Sequence, residues 1–411
     1  MNILIVTQYF WPENFRINDL AQSLVENGHV VTVLTGIPNY PTGHFFPGYG
    51  WFRKSRQIHA GVKIVRVPVI PRGQGNNLRL MLNYFSFALF ASLLGPILCP
   101  GKFDLIFVYQ PSPITVGLPA ILFKKIKRAP IMFWVLDLWP ESLAATGAIT
   151  SSPILNGVRS LVRYIYRHCD RILVQSPAFV WPIQEAGAGL DKILYFPSWA
   201  EAIFQPSVES SDLVNPMLPS GFRLMFAGNV GAAQDFGTIL TAAELLKREP
   251  KIHWLIVGDG RKLDWVREQV QHRALSGTVH LLGRHPLEAM PQFFSQADAM
   301  LVSLKSEPIF ALTIPAKIQS YLAYGKPIIA ALDGVGGRIV EEAQAGLTCP
   351  AGDPQALADT VLSMYRQPVS ERNAMGLRGK AYYAENFERT MLLDRVRGWM
   401  QELTEKSKIS M

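Results

Sequence analysis

The sequence predicts two α/β domains of the doubly wound type, each built around a parallel β-sheet that is covered by helices. The chain has 411 residues, which is too long for one ordinary core and fits two domains of about 150 to 200 residues. Short apolar strand patterns alternate with helix-length segments along both halves, as in parallel sheets buried on both faces. The alternation stops at residues 206–220, PSVESSDLVNPMLPS, and then starts again. This stretch, rich in proline and serine, is therefore predicted to be the interdomain linker.

The first half begins with a strand, a helix and a second strand. NILIVTQYF (2–10) is rich in strand-forming residues, and NDLAQSLVENG (18–28) has apolar residues at helical spacing. HVVTVLTG (29–36) is again a strand, which completes a βαβ unit. Further short apolar strands are predicted at 62–69, 104–110, 130–137 and 171–176.

The second half has the same architecture with different residues. Strands are predicted at 222–231, 253–260, 278–283, 297–304 and 327–332, with helices near 236–248 and 315–324. Gly325 is expected to stop the second of these helices. A long amphipathic helix is expected to start near Glu385 and to end in a frayed tail.

These patterns define the expected domain boundaries. The first domain is predicted over 1–205, the linker over 206–220 and the second domain over 221–385. Residues 386–411 are predicted to form a C-terminal helix and tail that pack back on the first domain. Because doubly wound domains bind ligands at the carboxyl ends of their strands, the expected site is a cleft between two facing domains.

Composition and charge limit which classes of binding partner and which cellular compartment are expected. The chain has 40 Lys and Arg against 32 Asp and Glu, a net charge of +8 and a pI of about 9.3. Such a balance favours anionic partners: nucleic acid, phosphorylated ligands or an acidic membrane surface. The basic residues are scattered and form no known nucleic-acid module, so no nucleic acid is expected as a partner. Cys99, Cys169 and Cys349 match no metal or disulfide spacing, and no secretory signal opens the chain, so a cytoplasmic protein is expected.

Residues 80–99, LMLNYFSFALFASLLGPILC, form a strongly apolar segment with basic residues on both sides. Three structures fit it: a helix buried in its own domain, a helix docked on a membrane surface, and a membrane span. Asn83, Ser86 and Pro96 are among the residues that weaken the spanning alternative. Arg79, Lys102 and the run KKIKR (124–128) would assist docking, which predicts a peripheral protein on the inner face of the plasma membrane.

Two glycine-containing turns follow the first two strands of the second half. In AGNVGAAQDF (227–236), Gly228 and Gly231 allow backbone amides to approach a ligand and open a helix, a usual place for an anion. In GDGRK (258–262), two glycines can pack under a flat ring, and Arg261 is a candidate phosphate partner. Tight packing between strand and helix remains the alternative for both turns. Neither matches a P-loop or a three-glycine dinucleotide fingerprint.

The loop from Glu307 to Pro315 leads into a third helix at the same predicted edge. Lys317 lies in the first turn of this helix, where a cation opposes the helix dipole unless an anion is nearby, so a diphosphate contact is predicted. Three residues of the following turn, Gln319, Ser320 and Tyr321, are candidates for contacts to sugar hydroxyls. Their alternative is a helix face that is packed or solvated. Thr313 and Ile314, at the end of the loop, are predicted to line the same site.

Two polar turns of the first half are predicted to recognise a second, polar ligand. QYFWPENFRINDL (8–20) follows the first strand and places Glu13, Asn14 and Arg16 beside the expected cleft. VLDLWPESLAATG (135–147) places Asp137 at the end of a strand, where a carboxylate is a plausible base or an acceptor for a sugar hydroxyl. Trp139 and Glu141 follow it and are also predicted to contact this ligand. Helix N-capping by Asp137 is the alternative.

Taken together, six segments of the chain resemble one enzyme family. QYFWPE, GHVVTVLTGIPNYPTG, DLWPES, GNVGAAQ, VGDG and IPAKIQSYLAYGKP occur in this order along the sequence. They are similar to the fourth family of retaining, nucleotide-sugar-dependent glycosyltransferases, whose GT-B fold has two facing Rossmann-like doubly wound domains with an interdomain cleft. Within that family the chain resembles the branch of O-antigen and capsule gene clusters, which includes proteins assigned as L-fucosamine transferases.

The resemblance implies that the second domain holds the nucleotide sugar and that the first domain takes the acceptor. Gly228, Asn229, Gly231 and Gln234 would lie near the sugar and the diphosphate, Gly258 and Asp259 near the base, and Lys317 at a phosphate. The resemblance also implies that no metal and no cofactor is required. The chain departs from the family at Ser320, where many members carry the second of two glutamates, and at Asn229 and Asp235, where many have Arg and Lys. Glu307 is a loose counterpart of the first glutamate.

The predicted function is transfer of a sugar, with retained anomeric configuration, from a UDP-linked donor to a lipid-linked saccharide. Asp137 would orient the acceptor, and Lys317 would stabilise the departing diphosphate. Two alternatives stay open. One is a nucleotide-sugar epimerase, which would need no acceptor, and the other is a non-catalytic subunit that only binds the nucleotide sugar.

Overall fold

The computed structural model describes residues 1–51, 53–73, 77–145, 147, 149–204 and 218–409. The chain forms two compact units, one of Met1–Pro197 with Thr390–Met411 and one of Ser198–Arg389. Residues 206–217, most of the predicted linker, lie outside the described residues.

The first unit contains eight strands among its described residues: β1 (Asn2–Val6), β2 (Val30–Gly36), β3 (Arg56–His59), β4 (Val62–Val67), β5 (Leu105–Gln110), β6 (Ile131–Val135), β7 (Arg171–Val174) and β8 (Ile193–Tyr195). Its helices are α1 (Arg16–Glu26), α2 (Asn77–Leu98), α3 (Gly117–Lys127), α4 (Glu141–Ala145), α5 (Ser152–His168) and α6 (Val180–Glu185), together with the C-terminal helix α15 (Arg389–Ile409). Short 3₁₀ turns occur at Ile114–Val116, Pro177–Phe179 and Leu190–Lys192.

The strands of the first unit form one sheet in the order β3-β4-β2-β1-β5-β6-β7-β8. All neighbours are parallel except β3 and β4. β5 and β6 are buried along their whole length, because helices cover both faces of a parallel sheet. The strand order reverses at β1, so the carboxyl ends of β1 and its neighbours form the usual place for a ligand.

The second unit contains six strands among its described residues: β9 (Phe222–Ala227), β10 (Ile252–Val257), β11 (Val279–Gly283), β12 (Ala299–Ser303), β13 (Ile328–Ala331) and β14 (Gly346–Cys349). Its helices are α7 (Phe236–Leu245), α8 (Leu263–His272), α9 (Met290–Gln296), α10 (Pro308–Ala311), α11 (Ala316–Tyr324), α12 (Val335–Glu342), α13 (Pro354–Arg366) and α14 (Val369–Asn386). Short 3₁₀ turns occur at Ala202–Phe204, Ala232–Gln234 and Leu287–Ala289.

The sheet of the second unit is entirely parallel, in the order β11-β10-β9-β12-β13-β14. Phe226, Ile239 and Trp254 are among the buried residues that join its strands to its helices in one core. The strand order reverses at β9, as it does at β1 in the first unit. Both sheets therefore have the doubly wound topology that the sequence predicts.

The long C-terminal helix begins at Arg389 and not near Glu385. Glu385 lies in the last turn of α14, and a separate helix, α15, begins at Arg389. Phe387 separates them because its backbone leaves the helical region (φ −131°, ψ 7°) and its ring packs near Tyr382 and Tyr383. Burial of this aromatic side chain stabilises the break.

The apolar segment 80–99 lies within α2, which is long and apolar enough to cross a membrane by length and composition alone. Seven of its residues are buried, and Gly95 lies so close to the sheet that a Cβ there would be 2.9 Å from Leu34 Cδ2. Asn83, also buried, accepts a hydrogen bond from Gln8 Nε2 and donates one to the Ile70 carbonyl. One side of α2 is thus part of the first unit's own core.

The opposite side of α2 is an exposed apolar stripe. Its residues follow one another at helical spacing and are 42–75% exposed: Leu78, Leu82, Phe85, Leu89, Leu93 and Ile97. Such a stripe is larger than the single apolar side chains normally found on protein surfaces.

Candidate functional site in the second unit

Three loops of the second unit meet at the carboxyl edge of its sheet. They follow β9, β10 and β12, and parallel strands bring their carboxyl ends to one edge. The Val230 amide donates a hydrogen bond to the Asp259 carbonyl (2.9 Å), and the Lys305 amide donates one to the Ala233 carbonyl (2.9 Å). The structure thus brings together the glycine-containing turns and the loop before α11.

Two of the predicted glycines are required by close approach of the backbone. Gly258 has φ +149°, and a Cβ at this position would lie 1.9 Å from the Gly228 carbonyl oxygen. Gly228 has φ +134°, and a Cβ there would lie 2.7 Å from Lys317 Cε. Any other residue at either position would be strained and would displace its neighbour. Gly228 is exposed.

Lys317 places its amino group at this turn. Nζ lies 3.3 Å from the centroid of the Phe226 ring and is buried without a hydrogen-bond partner. Burial holds the pKa of Lys317 well below its ordinary value. The aromatic face offers the ammonium a cation–π contact, but a buried charge is stable only when it is paired as well. An anion at the Gly228 turn would supply the missing partner.

The other residues of these turns that are predicted to bind the sugar donor fall into two groups. Some are exposed, and the others stabilise the turns themselves. Asn229 and Arg261 are exposed at the edge. Gln234 Oε1 accepts a hydrogen bond from the Gly231 amide (3.1 Å), and Asp259 Oδ1 accepts one from the Gly260 amide (2.7 Å). Gln234 and Asp259 therefore stabilise the turns to which they belong.

Most of the predicted side chains in and before α11 make contacts within the second unit, next to the carboxyl edge of its sheet. Tyr321 is 1% exposed, and its hydroxyl accepts from the Ala227 amide and donates to the Ala227 carbonyl, which ties α11 to the end of β9. Ile314 is buried, and Thr313 Oγ1 donates to the Ile309 carbonyl. Glu307 is half-buried just before α10. Contacts with a nucleotide-sugar donor remain predictions for four residues: Glu307, Thr313, Ile314 and Tyr321.

Ser320 lies one helical turn after Lys317 and is 9% exposed. Its hydroxyl donates to Glu201 Oε2 at 3.4 Å. Neither Glu201 nor Phe226 was expected at this site. Phe226 has the sequence pattern of an ordinary core residue in β9. Glu201 and Ser320 are 119 residues apart, so no sequence spacing connects Glu201 with α11.

Candidate functional site in the first unit

Glu13 is a buried carboxylate at the carboxyl edge of the first sheet. It is 3% exposed; Oε1 accepts from the amides of Asn39 and Tyr40 at 2.7 Å, and Oε2 accepts from the Phe10 amide at 3.3 Å. Burial raises its pKa to about 7, although these three hydrogen bonds act in the opposite direction. Glu13 therefore joins the turn after β1 to the loop after β2. Of its predicted neighbours, Asn14 is exposed and Arg16 begins α1.

Asp137 follows β6 at the same edge. Oδ2 accepts a hydrogen bond from Trp139 Nε1 (3.1 Å). Burial raises the pKa of Asp137 to about 6, while hydrogen bonds from Ser142 and Trp139 lower it. Trp139 is 4% exposed and lies against Tyr84. Glu141 is exposed at the start of α4, 3.9 Å from Arg159.

The described part of the chain holds no group of three or more His, Cys, Asp or Glu side chains arranged to bind a metal ion.

Two family models match successive parts of the chain. Residues 14–199 match the glycosyl transferase 4-like domain, and residues 221–367 match the glycosyl transferases group 1 model. Each half of the chain is thus similar to glycosyltransferases. The match over 221–367 lies in the second unit, and the match over 14–199 covers most of the first unit, and its last two residues lie in the second.

Curated relatives carry glycosyltransferase names. The chain is 28% identical over 303 residues to the probable glycosyltransferase WbjE of Pseudomonas aeruginosa, an alignment that covers 71% of this chain and 74% of the relative. It is 24% identical over 338 residues to the putative colanic acid biosynthesis glycosyl transferase WcaI of Escherichia coli (strain K12), covering 79% and 82%.

Solved structures share the architecture over nearly the whole length. Sucrose-phosphate synthase (tll1590) from Thermosynechococcus elongatus has a TM-score of 0.75 at 16% identity, with 98% of this chain and 99% of that chain covered. Anabaena Alr3699/HepE in complex with UDP-glucose has a TM-score of 0.68 at 14% identity, covering 98% and 100%. At these identities the likeness shows the fold, and the prediction of a GT-B fold with two Rossmann-like domains is confirmed.

Proposed function

We propose that this glycosyltransferase moves a sugar, with retained anomeric configuration, from a UDP-linked donor to a lipid-linked saccharide during synthesis of a surface polysaccharide. The observation that carries the proposal is the buried Lys317 amino group without a hydrogen-bond partner at the Gly228 turn. The name of WcaI, a putative colanic acid biosynthesis glycosyl transferase, supports a polysaccharide pathway, and the UDP-glucose bound to HepE supports a UDP-linked donor. N-acetyl-L-fucosamine is the sugar that the resemblance favours.

In this proposal the donor diphosphate lies at Lys317 and the turn amides. The acceptor hydroxyl attacks the anomeric carbon on the face from which UDP departs. The bond from this carbon to the diphosphate oxygen breaks as the bond to the acceptor oxygen forms, and the hydroxyl proton passes to the departing phosphate. Lys317 stabilises the negative charge that grows on the diphosphate, which is the main catalytic demand. Asp137 accepts a hydrogen bond from the acceptor and orients it.

The decisive experiment combines donor binding with product analysis. A thermal-shift screen with UDP-sugars identifies the donor, because a ligand that binds only the folded state raises the melting temperature. The identified donor is then incubated with a lipid-linked saccharide, and the anomeric configuration of the product is read by NMR. Retained configuration is expected.

Control incubations separate this proposal from its alternatives. A donor epimerised without any acceptor would identify an epimerase instead. Binding of a UDP-sugar without turnover on any acceptor would identify a non-catalytic subunit.

The proposal also places the enzyme in the cytoplasm, peripheral on the inner face of the plasma membrane. The apolar stripe of α2 is the contact surface, and α2 packs on α3, whose last turn carries Lys124, Lys125 and Lys127. Lys124 pairs with Asp170 at 2.6 Å, and both line a cavity of about 420 Å³ together with Arg128, Arg171 and Lys406. An apolar stripe flanked by cations fits an anionic bilayer.

Flotation with phosphatidylglycerol vesicles tests this surface. Replacing Leu89 and Leu93 together by Ser should reduce vesicle binding, whereas replacing the equally exposed Leu377 of the second unit should not. Circular dichroism confirms that both variants are folded. Equal vesicle binding by the folded double variant and the wild type would remove α2 from the membrane contact.

A further inference from the structure

Arg72 lies in the segment that connects β4 to α2, and this segment is hydrogen-bonded on two sides. The Ile70 amide donates to Ser86 Oγ (2.9 Å), and the Ile70 carbonyl accepts from Asn83 Nδ2 (2.6 Å), both in α2. On the other side, the Arg72 amide donates to Asn39 Oδ1 (3.2 Å) in the loop after β2. The backbone at Arg72 is therefore fixed between α2 and the carboxyl edge of the first sheet.

The half-buried guanidinium of Arg72 is held by two aromatic residues of this edge. Its Cζ lies 5.0 Å from the centroid of the Tyr40 ring, and Nη1 donates to the Tyr9 hydroxyl at 3.4 Å. An aromatic face attracts a guanidinium and orients its plane. Within the described part of the chain, no Asp or Glu side chain comes within 4.0 Å to form an ion pair with Arg72. A guanidinium has five N–H donors, so most of these donors are available to an anion.

The same segment touches the first turn of α2, where the exposed apolar stripe begins. A Cβ at Gly73 would lie 2.9 Å from Arg79 Cδ, and Leu78, the first residue of the stripe, is 67% exposed. Arg72 thus lies between the stripe, which is proposed to contact the membrane, and the polar edge with Glu13, which is proposed to take the acceptor. A ligand that extends from this edge to the stripe would pass the guanidinium.

We infer that Arg72 binds the diphosphate that joins the acceptor saccharide to its lipid, an inference that rests on the proposed function. A prenyl diphosphate saccharide consists of an apolar chain, a diphosphate and a sugar, in the same order as the stripe, the guanidinium and the polar edge. A planar guanidinium binds two phosphate oxygens through parallel, charge-assisted N–H groups. Tyr40 and Tyr9 orient this group before the ligand arrives, which lowers the entropic cost of binding.

Isothermal titration calorimetry of the full chain with geranyl diphosphate tests this site. UDP is present at a saturating concentration, so that the proposed donor site at Lys317 is filled and does not take the probe. The wild type should bind geranyl diphosphate about 10- to 100-fold more tightly than geraniol, which lacks the anion. It should also bind inorganic pyrophosphate more weakly, because pyrophosphate lacks the apolar chain. Equal affinity for pyrophosphate would contradict recognition of a lipid diphosphate.

Two substitutions separate the charge of Arg72 from its planar shape. Arg72→Gln removes the charge and should weaken binding of geranyl diphosphate by about 10- to 100-fold. Arg72→Lys keeps the charge without the paired N–H groups, so its affinity should lie between that of Arg72→Gln and the wild type. UDP affinity, measured without the probe, should not change in either variant. The matched control is Arg163→Gln, at an exposed arginine of α5 in the same unit, which should change neither affinity.

The outcomes separate the inference from the proposed function. Wild-type affinity for geranyl diphosphate in a folded Arg72→Gln variant overturns the role of Arg72 and leaves the proposed transfer reaction standing. Selective loss in the Arg72 variants, with no transfer from any UDP-sugar, supports a lipid diphosphate site at Arg72 and overturns the proposed function. If circular dichroism shows that Arg72→Gln does not fold, Arg72→Lys decides the question. Unchanged affinity in Arg72→Lys contradicts the inference.

Discussion

The carboxyl edges of the two sheets differ in the charge that they bury. At the first edge the charged groups are the carboxylates of Glu13, which is buried, and Asp137, which is half-buried, and both accept hydrogen bonds from nearby N–H groups. At the second edge the buried charge is the Lys317 ammonium, whose Nζ has no hydrogen-bond partner. The N–H partners offset part of the cost of desolvating these carboxylates, which can accept a hydrogen bond from a further hydroxyl. A buried cation without a partner is stabilised by an anion, which supports the proposed diphosphate site in the second unit.

The largest expected effect would come from Asp137→Asn at the first edge. Loss of the carboxylate should lower kcat by about 10²-fold or more, because a misoriented acceptor hydroxyl leaves the near-attack geometry. UDP affinity should change little, because this edge takes the acceptor in the proposal. Steady-state kinetics and calorimetry on the same protein samples measure the two effects. Equal losses in kcat and in UDP affinity would contradict the proposal that the first edge binds the acceptor and the second edge binds the donor.

The dependence of the wild-type reaction rate on pH tests the role of Asp137. Its pKa is about 6, so the carboxylate is protonated below this value and accepts hydrogen bonds poorly. The rate should therefore rise with pH around 6, and this limb should be absent in Asp137→Asn.

The stability of the first unit should fall as pH rises through the titration of Glu13. Its pKa is raised from 4.5 to about 7 on folding, so the folded state binds this proton more tightly than the unfolded state. The stabilisation is complete below about pH 4.5 and is lost as pH rises to about 7, which corresponds to roughly 3 kcal/mol. Asp137 titrates with the same sign, so the informative quantity is the difference between the wild type and Glu13→Gln in urea unfolding at several pH values. A constant difference between pH 4.5 and 7 would show that Glu13 does not carry this dependence.

Lys317→Ala tests the second edge directly. Removal of a charge-assisted contact of about 1.5 to 3 kcal/mol should weaken UDP binding by roughly 10- to 100-fold. Affinity of the wild type should also fall with rising pH, because the pKa of Lys317 in the free enzyme is low and deprotonation removes its charge. Lys251→Ala, at an exposed lysine just before β10, is the matched control. Unchanged calorimetric affinity in Lys317→Ala would exclude the amine from the donor site.

The smallest expected effect is that of Tyr321→Phe. Loss of the two hydrogen bonds to Ala227 should lower the free energy of unfolding by about 1 kcal/mol, since a buried amide loses its side-chain partner. UDP affinity should fall only a few-fold, because Lys317 and the glycine turns remain. A large loss of affinity with unchanged thermal stability would instead identify Tyr321 as a direct ligand contact.

Much of the fold could be predicted because the signals are local. Apolar runs of strand length, such as NILIV in β1 and IMFWV in β6, predicted buried parallel strands. Gly325 correctly predicted the end of α11, where it adopts φ +83°. The break between α14 and α15 could not be predicted, because it depends on burial of Phe387 among side chains of the folded unit.

The candidate site was predictable only in outline. Gly228, Gly258 and Lys317 lie on turns that any doubly wound domain would bring to one edge. By contrast, many members of the resembled family carry a glutamate where this chain has Ser320. A carboxylate does reach that position, but it belongs to Glu201, which is 119 residues away along the chain. No sequence pattern relates two residues whose only connection is a contact made after folding.

Periodicity, length and glycine placement were enough to specify two doubly wound domains and the edge at which each would carry its site. These properties follow from backbone geometry and local burial, which depend on neighbours in the sequence. The tertiary structure alone decided that Lys317 lies buried over Phe226, that Glu13 joins two loops and that Glu201 meets Ser320. Their burial and hydrogen-bond partners come from distant segments, and these surroundings determine whether a charge is stable as it stands or requires a ligand.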